Sequence, residues 1–494
     1  MQRSGGTLES GWSGSHHSVG FGPDGADGGR ALCGGHRVLG SARGTSVLRR
    51  GAPSGTPVES GAATGSGPGA LQSLAVGRRD VRLCSRRPHC CRSIQPPSLP
   101  FVRIARVLTR LNLGGPARQT LASDPLLRAR GHSLRVFCGQ PEAGEGNLAD
   151  LLRARGIEVQ EISGLRRRPS PWGDFRAGRA LRRALQDFQP DLVHTHASKA
   201  GWLGRRAAWA LGLPTVHTFH GHVLEGYFSD SVSRFLVRSE RRMARRTDQV
   251  LAVAHATADD LVRLGVCSEE ELVVVPPGVD LDPFLSIRAR SGFLRRQVGA
   301  GSGDFLVGVV GRLAPVKRPE LAIDVFELLC QRHPQLHLVF IGDGALWGNL
   351  AQRIENGPPE VKERVHMLGV QVNMVAVMSD LDAVLLTSSN EGAPVCLLEA
   401  AASGLPVVAS GVGGVPEVVA HERSGWVGEN VDEWAFGLDQ YLGDERLARE
   451  SGQRGRVRVA TRHGAAALAD RLEAVYSSVL GLDVEAPASP EVSL

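Results

Sequence analysis

Lysine is almost missing from this chain: Lys199, Lys317 and Lys362 stand against 54 arginines in 494 residues. That bias is expected of a GC-rich genome, where long spurious upstream reading frames are common. No stretch of 18 or more apolar residues occurs, so no transmembrane helix is expected. The opening residues have no apolar h-region behind a basic start, so neither is a secretory signal. The cysteines fit no zinc spacing. Cys33, Cys84, Cys90 and Cys91 come early, and Cys138, Cys267, Cys330 and Cys396 are scattered singly among apolar residues. Buried free thiols in a reducing cytoplasm fit this usage, with no metal site. No G-x-G-x-x-G follows the first strand of either half, which argues against a nicotinamide dehydrogenase.

Charge of one sign is lacking too. The net +6 conceals 12 arginines against 5 acids in residues 1–100, 26 basic against 20 acidic in 101–283, and 19 against 26 in 284–494. A nucleic-acid partner is therefore not implied, although the middle third could face an anionic surface or acceptor.

Residues 1–96 hold 20 of the 61 glycines and no sustained periodicity. Such a segment cannot offset its chain entropy by burial and reads as a disordered Gly/Ser/Arg-rich tail. A start codon assigned too far upstream would give the same composition. From residue 101 short β-branched runs alternate with amphipathic stretches. Val102–Leu108, Leu134–Cys138, Ile157–Ile162, Leu192–His194, Thr215–Phe219, Gln249–Val253 and Leu272–Val275 read as strands. The alternation restarts with Leu306–Val310, Leu336–Ile341, Val365–Met367, Ala383–Leu386 and Val407–Ala409. This pattern predicts an α/β chain of two doubly wound Rossmann-like domains facing a central cleft, 101–283 and 304–480. A hinge is expected at 284–303, a packing-back of the last helix on the first domain, and a tail at 481–494.

The strongest chemical signal is Asn390-Glu391-Gly392-Ala393-Pro394-Val395-Cys396-Leu397-Leu398-Glu399. A helix starting at this proline leaves the amides of Val395 and Cys396 unpaired, a seat for a diphosphate. Glu399 could then grip a ribose, and Glu391 could reach sugar hydroxyls. A capping acid and a solvated glutamate are the plain alternative. Upstream, Gly311-Arg312-Leu313-Ala314-Pro315-Val316-Lys317 places two cations after a strand, as a phosphate clamp would. Downstream, Gly413-Gly414-Val415-Pro416-Glu417 allows close backbone approach to a ligand.

In order and approximate spacing these motifs resemble the retaining GT-B enzymes of glycosyltransferase family 4, the glycosyl transferases group 1, over roughly residues 101–480. The likeness to bacterial polysaccharide transferases is carried by Glu391-Gly392-Ala393-Pro394-Val395 and by the stretch His220–Phe228. Asn112-Leu113-Gly114-Gly115 is similar to the family's glycine loop. Asp191–His196 looks like its D-[IV]-[IV]-H-x-H strand, and Thr218-Phe219-His220-Gly221 places His220 where the family keeps a histidine near the transferred sugar.

The resemblance implies a retaining glycosyltransferase that moves a sugar from a nucleoside-diphosphate sugar to a lipid-linked or saccharide hydroxyl. It implies catalytic roles for Arg312, Lys317, Glu391 and His220. Donor binding would fall to Gly115, Gly311, Gly392, Val395, Glu399 and Gly414. No cofactor or metal is implied, the nucleotide sugar being a co-substrate, and Asp380-Leu381-Asp382 precedes a strand instead of following one. A nucleotide-sugar epimerase of similar fold and a non-catalytic sugar-nucleotide-binding protein are the competing readings. Finally, Ser231–Arg246 carries Arg234, Arg238, Arg241, Arg242 and Arg245 on one helical face and Val232, Phe235, Leu236 and Met243 on the other. Either it is an ordinary surface helix, or it docks a cytoplasmic enzyme on the anionic inner face of the membrane.

Overall fold

In a computed structural model, the described residues are 101–141, 146–166, 168, 170–221, 224 and 229–482. The tail at 1–96, its four cysteines, most of the 222–228 stretch and nearly all of 481–494 lie outside them. Seven parallel strands form the first sheet: β1 (Arg103–Arg110), β2 (Ser133–Gly139), β3 (Glu158–Glu161), β4 (Leu192–His196), β5 (Thr215–Phe219), β6 (Gln249–Ala252) and β7 (Leu272–Val274), in the order β3-β2-β1-β4-β5-β6-β7. The second has six: β8 (Phe305–Val310), β9 (Leu336–Ile341), β10 (Val365–Met367), β11 (Ala383–Leu386), β12 (Val407–Ser410) and β13 (Trp426–Gly428), in the order β10-β9-β8-β11-β12-β13. Both sheets lie within one compact unit. The doubly wound α/β architecture read from the alternating runs is what the chain adopts.

Parallel strands covered on both faces need apolar side chains on both, which is why these segments read as continuous runs. β4 and β5 are buried at every position. In each sheet the strand order reverses once among the central strands, between β1 and β4 and between β8 and β11. Ligands of doubly wound sheets bind outside the carboxyl ends of the strands at such reversals. The loops that leave β1, β8 and β11 carry most of the motif residues.

The stretch 284–303, expected as a hinge, holds the helix Phe293–Val298 and belongs structurally to the second sheet. Leu294 and Val298 join its core. Asp380 accepts from the amides of Gly292 and Leu294 at 2.7 Å each, and Asp382 pairs with Arg290 and with Arg295. This anchoring is polar, so it leaves little hydrophobic periodicity to read. Asp380 and Asp382 thereby have structural partners.

The final helix, Ala465–Leu480, follows the second sheet in sequence but packs on the first. Leu468, Leu472, Val475 and Tyr476 share a core with Ile104, Leu192 and Val216. Arg130 pairs with Asp470 at 2.6 Å and Glu473 at 2.5 Å. The turn Pro277-Gly278-Val279 receives the start of this helix, with the Val279 amide donating to the His463 carbonyl at 3.0 Å. The cationic helix spans Asp230–Ala244. Met243 is buried and Leu236 partly so, but Phe235 is 68% and Val232 42% exposed. Arg241 is turned to the carbonyls of Leu264 and Gly265, so it caps the neighbouring helix, His255–Arg263.

Candidate active site

The loops after β8 and β11 are tied to each other. The Ser389 amide donates to the Val316 carbonyl at 2.8 Å, the Thr387 hydroxyl donates to the carbonyls of Lys317 and Arg318, and the Arg318 guanidinium donates to those of Thr387 and Ser388. Arg318 has φ 44°, a left-handed conformation that a non-glycine residue adopts only when its surroundings compel it. This lacing turns the Lys317 side chain toward Glu391, with which it forms an ion pair, and the Ser388 hydroxyl donates to the same carboxylate at 2.6 Å.

The helix Val395–Ala402 starts beside this pair. Pro394 is its cap, not its first helical residue, and its carbonyl accepts from the Leu397 and Leu398 amides. The amides of Val395 and Cys396 precede the first intrahelical bond, while Pro394 itself has no N–H to add to the helix mouth. Burial pushes the Cys396 thiol up to about 11, which keeps it neutral.

One cleft of about 780 Å³ is lined by His220, Gly115, Gly311, Arg312, Lys317, Glu391, Gly392, Val395, Cys396 and Glu399. Nine of the ten residues expected at the site thus line one cleft. Arg312 is exposed, and its guanidinium has no hydrogen bond or ion pair among the described residues. Gly311 has φ 152°, and a Cβ there would meet nothing within 4 Å, so the backbone is bare toward the cleft. Gly414 is the exception. It lies behind the wall, where its amide donates to the Gly392 carbonyl at 2.9 Å and a Cβ would come within 2.0 Å of that oxygen. Its glycine is required by contact between two backbones.

The cleft is bridged by contacts between its sides. Glu399, 3% exposed, pairs with Arg118 on the helix Gly115–Ala129. Glu417 accepts from the His255 amide at 2.6 Å. A Cβ on Gly392 would lie 2.4 Å from the His220 carbonyl. Arg118 was not read from the sequence, although a charged residue three positions after the glycine loop was an available signal.

His194, below the cleft, and His196, on its wall, are both buried and bonded to Arg106, and His196 Nδ1 lies 2.9 Å from His220 Nε2. Burial, aided by the Arg106 charge, holds His220 down to about 3. Burial also keeps His194 and His196 well below the usual histidine range. All three are neutral at physiological pH. His194 is a core residue, while His196 is buried but lines the cleft; Arg106 and Asp124 went unremarked in the sequence.

Comparison with known proteins closes the case. Residues 113–283 match the family model described as Glycosyltransferase Family 4, and residues 291–458 the one described as Glycosyl transferases group 1. The UDP-Gal:alpha-D-GlcNAc-diphosphoundecaprenol alpha-1,3-galactosyltransferase of Escherichia coli is 27% identical over 351 residues, 70% of this chain and 89% of that protein. The D-inositol 3-phosphate glycosyltransferase of Thermobispora bispora is 30% identical over 313 residues, 59% of this chain and 71% of that one. Anabaena Alr3699/HepE, solved with UDP-glucose, aligns with a TM-score of 0.66 at 23% identity, over 76% of this chain and 100% of its own. WaaG, a glycosyltransferase of lipopolysaccharide biosynthesis, aligns with a TM-score of 0.58 at 17% identity, over 77% and 100%. At these identities the structural likeness speaks for the fold. With the sequence matches beside it, the chain belongs to glycosyltransferase family 4, the glycosyl transferases group 1, and is a GT-B glycosyltransferase that uses a nucleotide sugar.

Proposed function

We propose that the enzyme transfers a sugar from a nucleoside-diphosphate sugar to a hydroxyl acceptor with retention of configuration, in the synthesis of a cell-surface polysaccharide or glycolipid. The observation that carries the donor side is the placing of Arg312, Lys317 and the Val395–Cys396 amides around one cleft. Breaking the anomeric C–O bond leaves negative charge on the departing diphosphate. Fixed cations and a helix start stabilise that charge without reorganising. Glu391 and His220 would hold the sugar, and Glu399 the ribose in exchange for its contact with Arg118. In the retaining course the acceptor oxygen bonds the anomeric carbon on the face the diphosphate leaves, and the acceptor proton passes to the leaving phosphate. No metal is assigned a part in this scheme.

A thermal-shift screen of UDP, GDP, ADP and their sugars tests the donor site, because a ligand at 100 times its Kd stabilises by about 2.7 kcal/mol. Arg312→Ala and Lys317→Ala should each cost on the order of 3 kcal/mol at the transition state, roughly a hundredfold in kcat. EDTA should leave turnover unchanged. Shifts with no nucleotide, or full activity in both variants, would remove the donor assignment. Proton NMR of the product settles retention through the anomeric coupling.

The acceptor side of the proposal is a phosphate-bearing acceptor, such as a lipid-linked saccharide. The two relatives support it, since one acts on a diphosphoundecaprenol-linked sugar and the other on inositol 3-phosphate. No helix among the described residues is long and apolar enough to cross a membrane. We assign the enzyme to the cytoplasm, docked on the inner face of the membrane through the helix Asp230–Ala244. Phe235 and Val232 would enter the interface, with Arg234, Arg238 and Arg242 beside anionic headgroups. Sedimentation with anionic vesicles should be lost in high salt and in an Arg→Gln variant at these three positions. Binding equal to that of neutral vesicles would reject docking.

A further inference from the structure

A chain of buried polar side chains runs from beneath the cleft to its wall, where His196 and His220 line it. Arg106 sits in β1, beside the central strand of the first sheet, and is 1% exposed. Its Nη2 reaches Ser123 Oγ at 3.1 Å and Asp124 Oδ1 at 2.8 Å. Its Nη1 reaches His194 Nδ1 at 3.0 Å and His196 Nε2 at 3.1 Å. From His196 the chain goes on, Nδ1 to His220 Nε2 at 2.9 Å.

The direction of every bond in this chain follows from its first member. A guanidinium only donates, so His196 Nε2 must accept. A neutral imidazole has one proton, which then sits on His196 Nδ1 and is donated to His220 Nε2. His220, neutral as well, is left with its own proton on Nδ1. That nitrogen is buried and has no partner among the described residues, and His220 lines the cleft. The same logic orients His194. Its Nδ1 accepts from Arg106 and from the Tyr476 hydroxyl at 2.7 Å, and its Nε2–H donates to Thr218 Oγ1 at 2.7 Å.

We infer that Arg106, with Asp124 behind it and His196 between, is a positioning group that fixes the proton of His220 on Nδ1 and so makes that imidazole a hydrogen-bond donor in the cleft. The partner it suits is an oxygen of the donor sugar, a role that rests on the proposed reading of His220. Without the relay the imidazole can carry its proton on Nε2, and the free nitrogen becomes an acceptor. The cleft would then meet the same sugar oxygen with lone pair against lone pair.

Histidine-selective ¹⁵N–¹H NMR of the full-length, ligand-free protein reads the tautomer directly, with His220 assigned by the missing signals of His220→Gln. The wild type should show the neutral Nδ1–H pattern at His220. His196→Leu cuts the relay while leaving Arg106 and Asp124 paired, and it should abolish that pattern. His196→Gln keeps an acceptor and a donor in the same order and should restore it in part. The kcat should follow the tautomer, falling about tenfold or more in the leucine variant with less than a threefold change in donor KM. An Nε2–H pattern in the wild type overturns the inference even if the leucine variant fails to fold. So does an unchanged pattern in a folded His196→Leu. A lost pattern with unchanged kcat keeps the relay but removes His220 from the sugar, so the two readings fail separately.

Discussion

At the scale of single residues, the site is built from opposite charges held close before any ligand arrives. Glu391 sits against Lys317 and Glu399 against Arg118. A carboxylate beside a phosphate seat opposes an anionic ligand, and Glu391 also occupies the cation that the phosphate would use. Replacing it with glutamine removes the negative charge and frees Lys317 while keeping the shape. The expected result for Glu391→Gln is a split: nucleoside diphosphate binds several-fold tighter by calorimetry, yet kcat falls at least tenfold because the sugar loses a charged partner. Weaker diphosphate binding in this variant would show that the carboxylate organises the clamp instead of opposing the ligand. His220 makes a second demand at this scale. Burial and the Arg106 charge keep it down to about 3, so the acid limb of kcat should carry no group titrating near 6.5.

At the scale of elements, the cleft depends on backbones meeting where side chains would not fit. The turn at Gly413–Gly414 lies against the loop at Glu391–Gly392, and that loop lies against the carbonyl of His220. Gly414→Ala would force its Cβ to within 2.0 Å of the Gly392 oxygen, so one of the two loops must shift. The expected cost is roughly 1–3 kcal/mol of stability, seen as a lowered Tm, together with a drop in kcat larger than the loss of folded protein explains. An unchanged Tm would mean the loops have slack that their contacts do not suggest. The sequence disclosed these elements unevenly. Strands such as Leu336–Ile341 and Ala383–Leu386 were legible to the residue because their apolar runs are continuous. The helix Gly115–Ala129 was not, since Gln119, Thr120, Ser123 and Asp124 are among its buried residues and Pro125 lies inside it. Polar groups turned inward defeat a reading based on hydrophobic period, and these include the residues that hold Arg106. β13 is three residues long and gave no run to find. The motif residues themselves were legible because glycines, cations and carboxylates keep a fixed order along the chain. Their pairing was not legible, because Arg118 and Glu399 are 281 positions apart.

At the scale of the whole molecule, the first domain carries a store of histidines buried in neutral form. Burial holds His194, His196 and His217 well below 6.5, and His220 down to about 3. In the unfolded chain each would take up a proton near pH 6.5. Between that pH and the folded values the unfolded state therefore binds more protons, and stability falls as the solution is acidified. Each such group contributes about 1.4 kcal/mol per pH unit across its window, so four acting together make the first domain markedly acid-sensitive. Asp124 opposes this: burial raises its carboxyl, so on acidification the folded state takes up that proton before the unfolded chain does. The urea midpoint should thus hold steady from pH 8 to 7 and drop steeply from pH 6 to 5. The loss should appear first in probes on the first domain, such as the fluorescence of Trp209, in a variant keeping that tryptophan alone. A midpoint that stays level down to pH 5 would mean these imidazoles reach water before the domain unfolds. The Arg106 relay, which needs them neutral and dry, could not then be set in the way inferred from its geometry.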